Sequence, residues 1–217
     1  MSAQFPSIAH RFRGYLPVIV DLETGGFDAI KNPVLEIGAV SVVMNEQGKL
    51  QPGEKFHYHI EPYPGLYIEP AALEFTGIDP THPFRQAVSE RDGLAELFQN
   101  LRRLQKDANC QRCVLVGHNA WFDLAFLRAA TERNDVKRSP FHSFTSFDTA
   151  TLGGLAFGQT VLAKACQAAG IAFDTREAHS ALYDAERTAE LFCLIVNRWQ
   201  TLGGWPHGAV ANNDEQD

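Results

Sequence analysis

The chain has 217 residues, 45% of them hydrophobic, and carries 26 acidic against 19 Lys and Arg side chains, for a net charge of −7. No run approaches the roughly eighteen apolar residues of a membrane span, and the start MSAQFPSIAHRFRGYLP lacks the basic, apolar and small-residue segments of a signal peptide, so a soluble cytoplasmic protein is expected. Of the cysteines at 110, 113, 166 and 193 only Cys110 and Cys113 have ligand-like spacing, and HYH at His57–His59 reads better as a strand face than as their other half, so zinc is set aside and reduced thiols are expected.

The first strand is announced by VIV at Val18–Val20, and it ends in the acids Asp21 and Glu23 followed by Gly25 and Gly26. Side chains at i and i+2 of a strand share a face, so these two carboxylates point the same way. Their mutual repulsion, about 4 kcal/mol at 4 Å in a dielectric near 20, calls for protons, a basic side chain or a divalent cation. VLEIGAVSVV predicts a second strand and FHYHI a third, joined by the turn-forming NEQGKLQPGE. EPYPGLYIEP reads as irregular, and AALEF as a short helix stopped at Gly77.

Residues 89–108 repeat leucine and phenylalanine at three- and four-residue steps, an amphipathic helix, and CVLVGHN then predicts a buried strand. Asn119 is placed to cap a helix through AWFDLAFLRAATERN. SPFHSFTSFDTATLGGLAFGQ reads as mostly loop, with Asp148 capping a short helix; TVLAKACQAAG is a helix closed by Gly170. A final helix runs from about Ala181 to Trp199, with Ser180 as its N-cap. Antiparallel strands first, then helices alternating with a strand, predict an α/β layered domain with a mixed central sheet flanked by helices. It is expected to fill residues 1–202 as a single domain, with 203–217 a polar C-terminal tail, partly disordered.

Three places set an acid where a packed segment meets a polar one: Asp21 with Glu23, Asp123 in GHNAWFD, and Asp184 in HSALYD. Asp123 lies one turn into a helix at the mouth of a strand, the sheet edge at which open α/β sheets bind ligands. Within one helix His179 and Asp184 would lie about 140° apart, so His179 belongs on the preceding loop, free to swing toward Asp184 and accept a proton near neutral pH. Four gathered carboxylates without matching bases imply about two divalent cations, and all-oxygen ligands favour Mg²⁺ or Mn²⁺. Two such ions stabilise the attacking and leaving oxygens of a phosphoryl displacement, so phosphodiester hydrolysis is the expected chemistry.

DLETGG, GHNAWFD and HSALYD resemble the three motifs of the DEDD superfamily of 3′–5′ exonucleases, in its histidine subclass. FHYHIEPYPG, LEFTGIDP, SPFHSFTSFDTA, GQTVLAKACQAAG and VNRWQTLGGWP extend the likeness to the RNA-maturing branch over nearly the whole chain. The resemblance implies a ribonuclease H-like exonuclease fold and two Mg²⁺ ions, for which Mn²⁺ can substitute, held by Asp21, Glu23, Asp123 and Asp184, with His179 as general base. It implies release of 5′-monophosphates from the 3′ ends of transfer and ribosomal RNA precursors, activity on single-stranded DNA, and a working homodimer. Phe27, Phe75, Phe122 and Phe144 correspond to base-stacking aromatics, and Arg11, Arg13, Lys106, Arg112 and Lys137 to an RNA-binding patch that serves the partner's active site. Gly25 and Gly26 are expected to let the RNA backbone come close. Ala71 stands where that branch has a glutamate near the terminal base, with Glu74 three residues on, which leaves the 3′-end preference open. The alternative is a proofreading-type DNA 3′–5′ exonuclease subunit.

Overall fold

A computed structural model describes residues 7–205. A short helix, α1 (Ile8–Arg11), leads into the strands β1 (Tyr15–Thr24), β2 (Val34–Met44) and β3 (Leu50–His59). The helices α2 (Pro70–Thr76) and α3 (Glu90–Asp107), the strand β4 (Arg112–Gly117) and the helix α4 (Trp121–Arg133) follow. The chain then forms β5 (Phe141–Asp148), α5 (Thr149–Phe157), α6 (Leu162–Ala169) and α7 (Ala181–Thr201). The sheet order is β3-β2-β1-β4-β5; β1, β2 and β3 pair antiparallel, whereas β4 runs parallel to β1, and β5 parallel to β4. The expected mixed sheet flanked by helices is therefore observed. Among the described residues no helix is long and apolar enough to cross a membrane.

Register assigns the faces. Opposite residues of an antiparallel pair share a face, so the pairs Val20–Ala39 and Leu22–Ile37, with Tyr58 beyond Ile37, lie on one side of the sheet. There α3 covers them: Tyr58 reaches Glu96, and Leu94, Leu97, Phe98 and Leu101 are fully buried, each contributing about 1.5–3 kcal/mol of transfer free energy. The other side carries Asp21, Glu23, Gly38, Glu36, His57 and His59, and onto it packs the N-terminal half of α7 through Ala181, Ala185 and Ala189. A Cβ on Gly38 would lie 2.1 Å from the carbonyl oxygen of Ala181, so only glycine lets the first turn of α7 sit on β2.

Several local expectations are corrected. The segment read as mostly loop forms β5 and α5; β5 resists pattern reading because two residues of β4 span five of β5 between the pairs Cys113–Phe141 and Leu115–Ser146. Asn119 does not cap α4: it adopts a left-handed conformation (φ 67°), its carbonyl accepts from the Phe122 amide, and Ala120 occupies the N-cap. Ser180 is the N-cap of α7 as expected, but its side chain makes no capping bond, because Glu36 reaches across from β2 to accept from the Ala181 amide at 3.1 Å. Asp148 does cap α5, accepting from the Ala150 and Thr151 amides and also from that of Asn119, bonds that outweigh burial and lower its pKa. Most of the expected polar tail, residues 206–217, lies outside the described residues.

Candidate active site

The parallel ladder between β1 and β4 ends at the pair Ile19–Val116, because β4 stops at Gly117 and turns into α4. Past that point Oδ1 of Asp123, in the first turn of α4, accepts from the Leu22 amide at 3.0 Å and stands in for the missing strand. That bond seats Asp123 against the end of β1, beside Asp21 and Glu23. From the other side α7 brings Asp184, whose Oδ2 accepts from the His179 amide at 3.1 Å. One ring nitrogen of His179 and one carboxylate oxygen each of Glu23 and Asp184 lie within 4.8 Å of one another. His179 precedes the helix, as its angular separation from Asp184 requires, and holds a left-handed φ of 68° with its ring against that of Phe75, centroids 4.1 Å apart.

Burial is the main cause of the site's electrostatics. It raises Asp21 far above the usual carboxylate range, with Asp123, Glu23, Asp184 and Glu36 adding repulsion. Glu23 is pushed up to about 8 by burial, then by Glu36, Asp184 and Asp123. Asp123 is likewise raised to about 8 by burial, against the lowering effect of the Leu22 amide. Burial also raises Asp184, opposed by the hydrogen bond from His179. Oδ1 of Asp184 is buried without a hydrogen-bond partner. Four crowded carboxylates held above their normal range, one with a bare buried oxygen and all offering oxygen alone, fit a hard divalent cation.

A fifth acid, Glu36, escapes the sequence reading. It sits opposite Glu23 in the β1–β2 register, buried, and besides the Ala181 amide Oε1 is 2.7 Å from Nε2 of His57. His59 stands alongside, its ring 4.7 Å from that of His57 and its Nδ1 3.9 Å from Oε2 of Glu36. The available signal was an acid inside the otherwise apolar VLEIGAV. HYH is thus a strand face, as expected, but one turned toward an acid that holds the helix of Asp184.

Phe27 and Phe75 are 84% and 65% exposed beside the acids, and Phe122 is half-buried, edge-on to Phe27 at 6.1 Å and packed on Phe126. Phe144 does not join them. It sits in the β5 bulge, 78% exposed, against His142, which in turn contacts Tyr15 at the opposite end of the sheet. Arg13, Lys106, Arg112 and Lys137 are exposed at that same end, where β1 and β4 begin and where α3 and the loop before β5 meet them. Arg11 departs from the expected patch: it is 4% exposed, its guanidinium donates to the carbonyls of Trp205 and Val196, and the Trp205 indole donates back to the Arg11 carbonyl at 3.2 Å. The two glycines also have a local reason. A Cβ on Gly25 would lie 2.8 Å from Pro33, and one on Gly26, whose φ is 155°, 2.5 Å from Glu69 and 2.6 Å from Asn32. Close packing within the protein thus already requires both glycines.

A family model described as an exonuclease (RNase_T) matches residues 18–192. The chain is 57% identical over 212 residues to ribonuclease T of Shewanella denitrificans, covering 95% of this chain and 94% of that protein. It is 59% identical over 199 residues to ribonuclease T of Photorhabdus laumondii, covering 92% of each. Among solved structures it matches the nuclease domain of 3′hExo, a DEDDh family member bound to rAMP, with a TM-score of 0.65 at 18% identity, covering 87% of this chain and 92% of that one. Exonuclease I of E. coli in complex with a dT13 oligonucleotide matches with a TM-score of 0.66 at 18% identity over 87% of this chain, which spans 42% of that longer protein. These two likenesses carry the fold.

Proposed function

Given that the chain belongs to the ribonuclease T family of exonucleases, we propose that it removes nucleotides one at a time from the 3′ ends of structured RNAs, chiefly transfer and ribosomal RNA precursors, releasing 5′-monophosphates. Single-stranded DNA is a second substrate. The observation that carries this reading is the convergence of Asp21, Glu23, Asp123 and Asp184 with the ring of His179 at one end of the sheet. The four carboxylates would hold two Mg²⁺ ions, which when bound supply charge neutralisation for the scissile phosphate and ease the ionisation of water. The remaining work belongs to the chain. His179 takes the proton of the attacking water; its exposed loop position and its seat on Phe75 keep the ring beside the carboxylates. Phe27, Phe75 and Phe122 hold the last bases by stacking, worth about 1–3 kcal/mol per base and tolerant of sequence.

The basic end supports a homodimer. Arg13, Lys106, Arg112 and Lys137 lie across the sheet from the acids of their own chain, so their phosphate contacts serve an active site most directly in a second copy, and Phe144 would enter with them. The four cysteines are unpaired and buried, which fits a reducing cytoplasm. The test is an incubation of 3′- and 5′-labelled RNA and DNA strands with Mg²⁺ or EDTA, with product identification. Metal-dependent 5′-mononucleotides cut from the 3′ end are expected, with His179→Ala slower by about 10²–10⁴-fold. Internal cleavage, or wild-type turnover by His179→Ala, refutes the assignment; a strong preference for DNA favours the proofreading alternative.

A further inference from the structure

A cleft of about 550 Å³ opens along α4, between Phe27, Ile30, Trp121 and Phe122, with Arg128 and Glu132 farther along the helix. Trp121 and Asp123 are two residues apart on that helix and hence about 200° apart around it, so the indole faces outward where the carboxylate faces the sheet. It is 68% exposed, and neighbouring Ile30 is 72% exposed. Large apolar side chains left in water side by side mark a binding surface. Trp121 meets Phe122 edge-to-face at 5.9 Å, and Phe122 meets Phe27 in the same way, so the indole extends the aromatic row. Arg128 lies two turns along from Trp121, about 10 Å away, and among the described residues it enters no ion pair in the structure. The cleft's acids differ in state: Asp28 is held by Lys31 at 2.6 Å, whereas Glu132, one turn beyond Arg128, repels a strand that continues along the helix.

We propose that Trp121 and Arg128 form one further nucleotide subsite, the indole stacking on a base upstream of those held by Phe27 and Phe122 and the guanidinium taking its phosphate. The occupant is the same strand, because Phe27 and Phe122, both members of the aromatic row, also line the cleft. A π-face bounded by a cation and then closed by an acid suits a single nucleotide rather than an extended track. The subsite rests on the exonuclease reading and gives that reading a length dependence.

The experiment measures KM and kcat on oligodeoxythymidylates of two to six nucleotides. Trp121→Ala is expected to raise KM about tenfold on the hexamer and to leave it unchanged on the dinucleotide, which is too short to reach the indole, and Trp121→Phe recovers most of the loss. Arg128→Ala lowers the salt dependence of hexamer binding by about one counterion. A hexamer bound to the Asp123→Asn protein quenches indole emission, and the quench is lost in the added Trp121→Phe background. A penalty independent of length, an unchanged hexamer KM, or a quench that survives Trp121→Phe overturns the subsite, and the fluorescence arm applies even where Trp121→Ala fails to fold. Failure of the exonuclease reading looks different: wild-type protein then degrades none of the oligomers, or Asp21→Asn degrades them as fast as wild type.

Discussion

The amide of Leu22 on β1 donates to the side chain of Asp123 on α4 at 3.0 Å, so a single carboxylate completes the sheet's hydrogen bonding and belongs to the acidic site at once. Structure and chemistry can be separated there by substitution. Asp123→Asn keeps an oxygen that accepts from Leu22, whereas Asp123→Ala leaves a buried amide without a partner at a cost of about 1–3 kcal/mol. Both variants are expected to lose nuclease activity, and only the alanine variant to show a clearly lowered melting temperature. Equal melting temperatures would show that the bond is of no structural consequence.

The raised carboxylates make stability depend on pH and on metal. Folded-state values of about 8 for Glu23 and Asp123 exceed those of the unfolded chain, so the folded protein binds more protons between about pH 4 and 8. Stability of the metal-free protein therefore falls as pH rises through that window. Added Mg²⁺ restores it, and more strongly at pH 8 than at pH 5.5. Asp21→Asn removes one repelling charge and should raise the metal-free melting temperature at pH 8 by about 3 °C or more while abolishing the Mg²⁺ response. Scanning calorimetry with EDTA or Mg²⁺ at the two pH values reads all of this; a metal-free protein more stable at pH 8 would contradict it.

Glu36 should behave as a positioning residue. Glu36→Ala strips the acceptor from the Ala181 amide and from His57 together, and the expected loss is about 3 kcal/mol or more. Glu36→Gln retains an acceptor oxygen and should recover most of the stability, with kcat reduced far less than by Asp184→Asn. A Gln variant as inactive as Asp184→Asn would instead make Glu36 part of the metal-binding set.

Two inactive proteins should rescue each other. An Asp21→Asn chain mixed with a chain in which Arg13, Lys106, Arg112 and Lys137 are all changed to Ala forms heterodimers with one intact acidic site facing one intact basic end. Up to about a quarter of wild-type activity is expected, given random exchange into the pairing of C₂ dimers. Absence of recovery after subunit exchange has been verified by mass spectrometry would leave each chain working alone.

What the sequence disclosed follows from how local each signal is. The alternation of β2 and the leucine spacing of α3 are short-range patterns, and both elements appear where the patterns lie. Asp21 and Glu23 declared themselves because acids seldom end so apolar a strand. The bulged β5 did not, since three extra residues break its period, and α1 is too short to leave one. Glu36 was hidden by its own strand: an acid between leucine and isoleucine reads as solvent-facing until register sets it beside Glu23 and helix packing sets Ala181 above it. Arg11 misled for a similar reason. Charge is visible in a sequence, but the carbonyls of Val196 and Trp205 that absorb it lie almost two hundred residues away.

That reciprocal bond between Arg11 and Trp205 brings the two ends of the described residues together. A protein whose first helix and last described residue already touch is a candidate for covalent circularisation: joining residues 7 and 205 by a short linker and reopening the chain at the tight Asn45–Lys49 hairpin should leave the sheet order intact. Shortening the chain to remove Trp205, by contrast, would take one of two carbonyl partners from a buried guanidinium, so a stable fragment should extend past the end of the final helix.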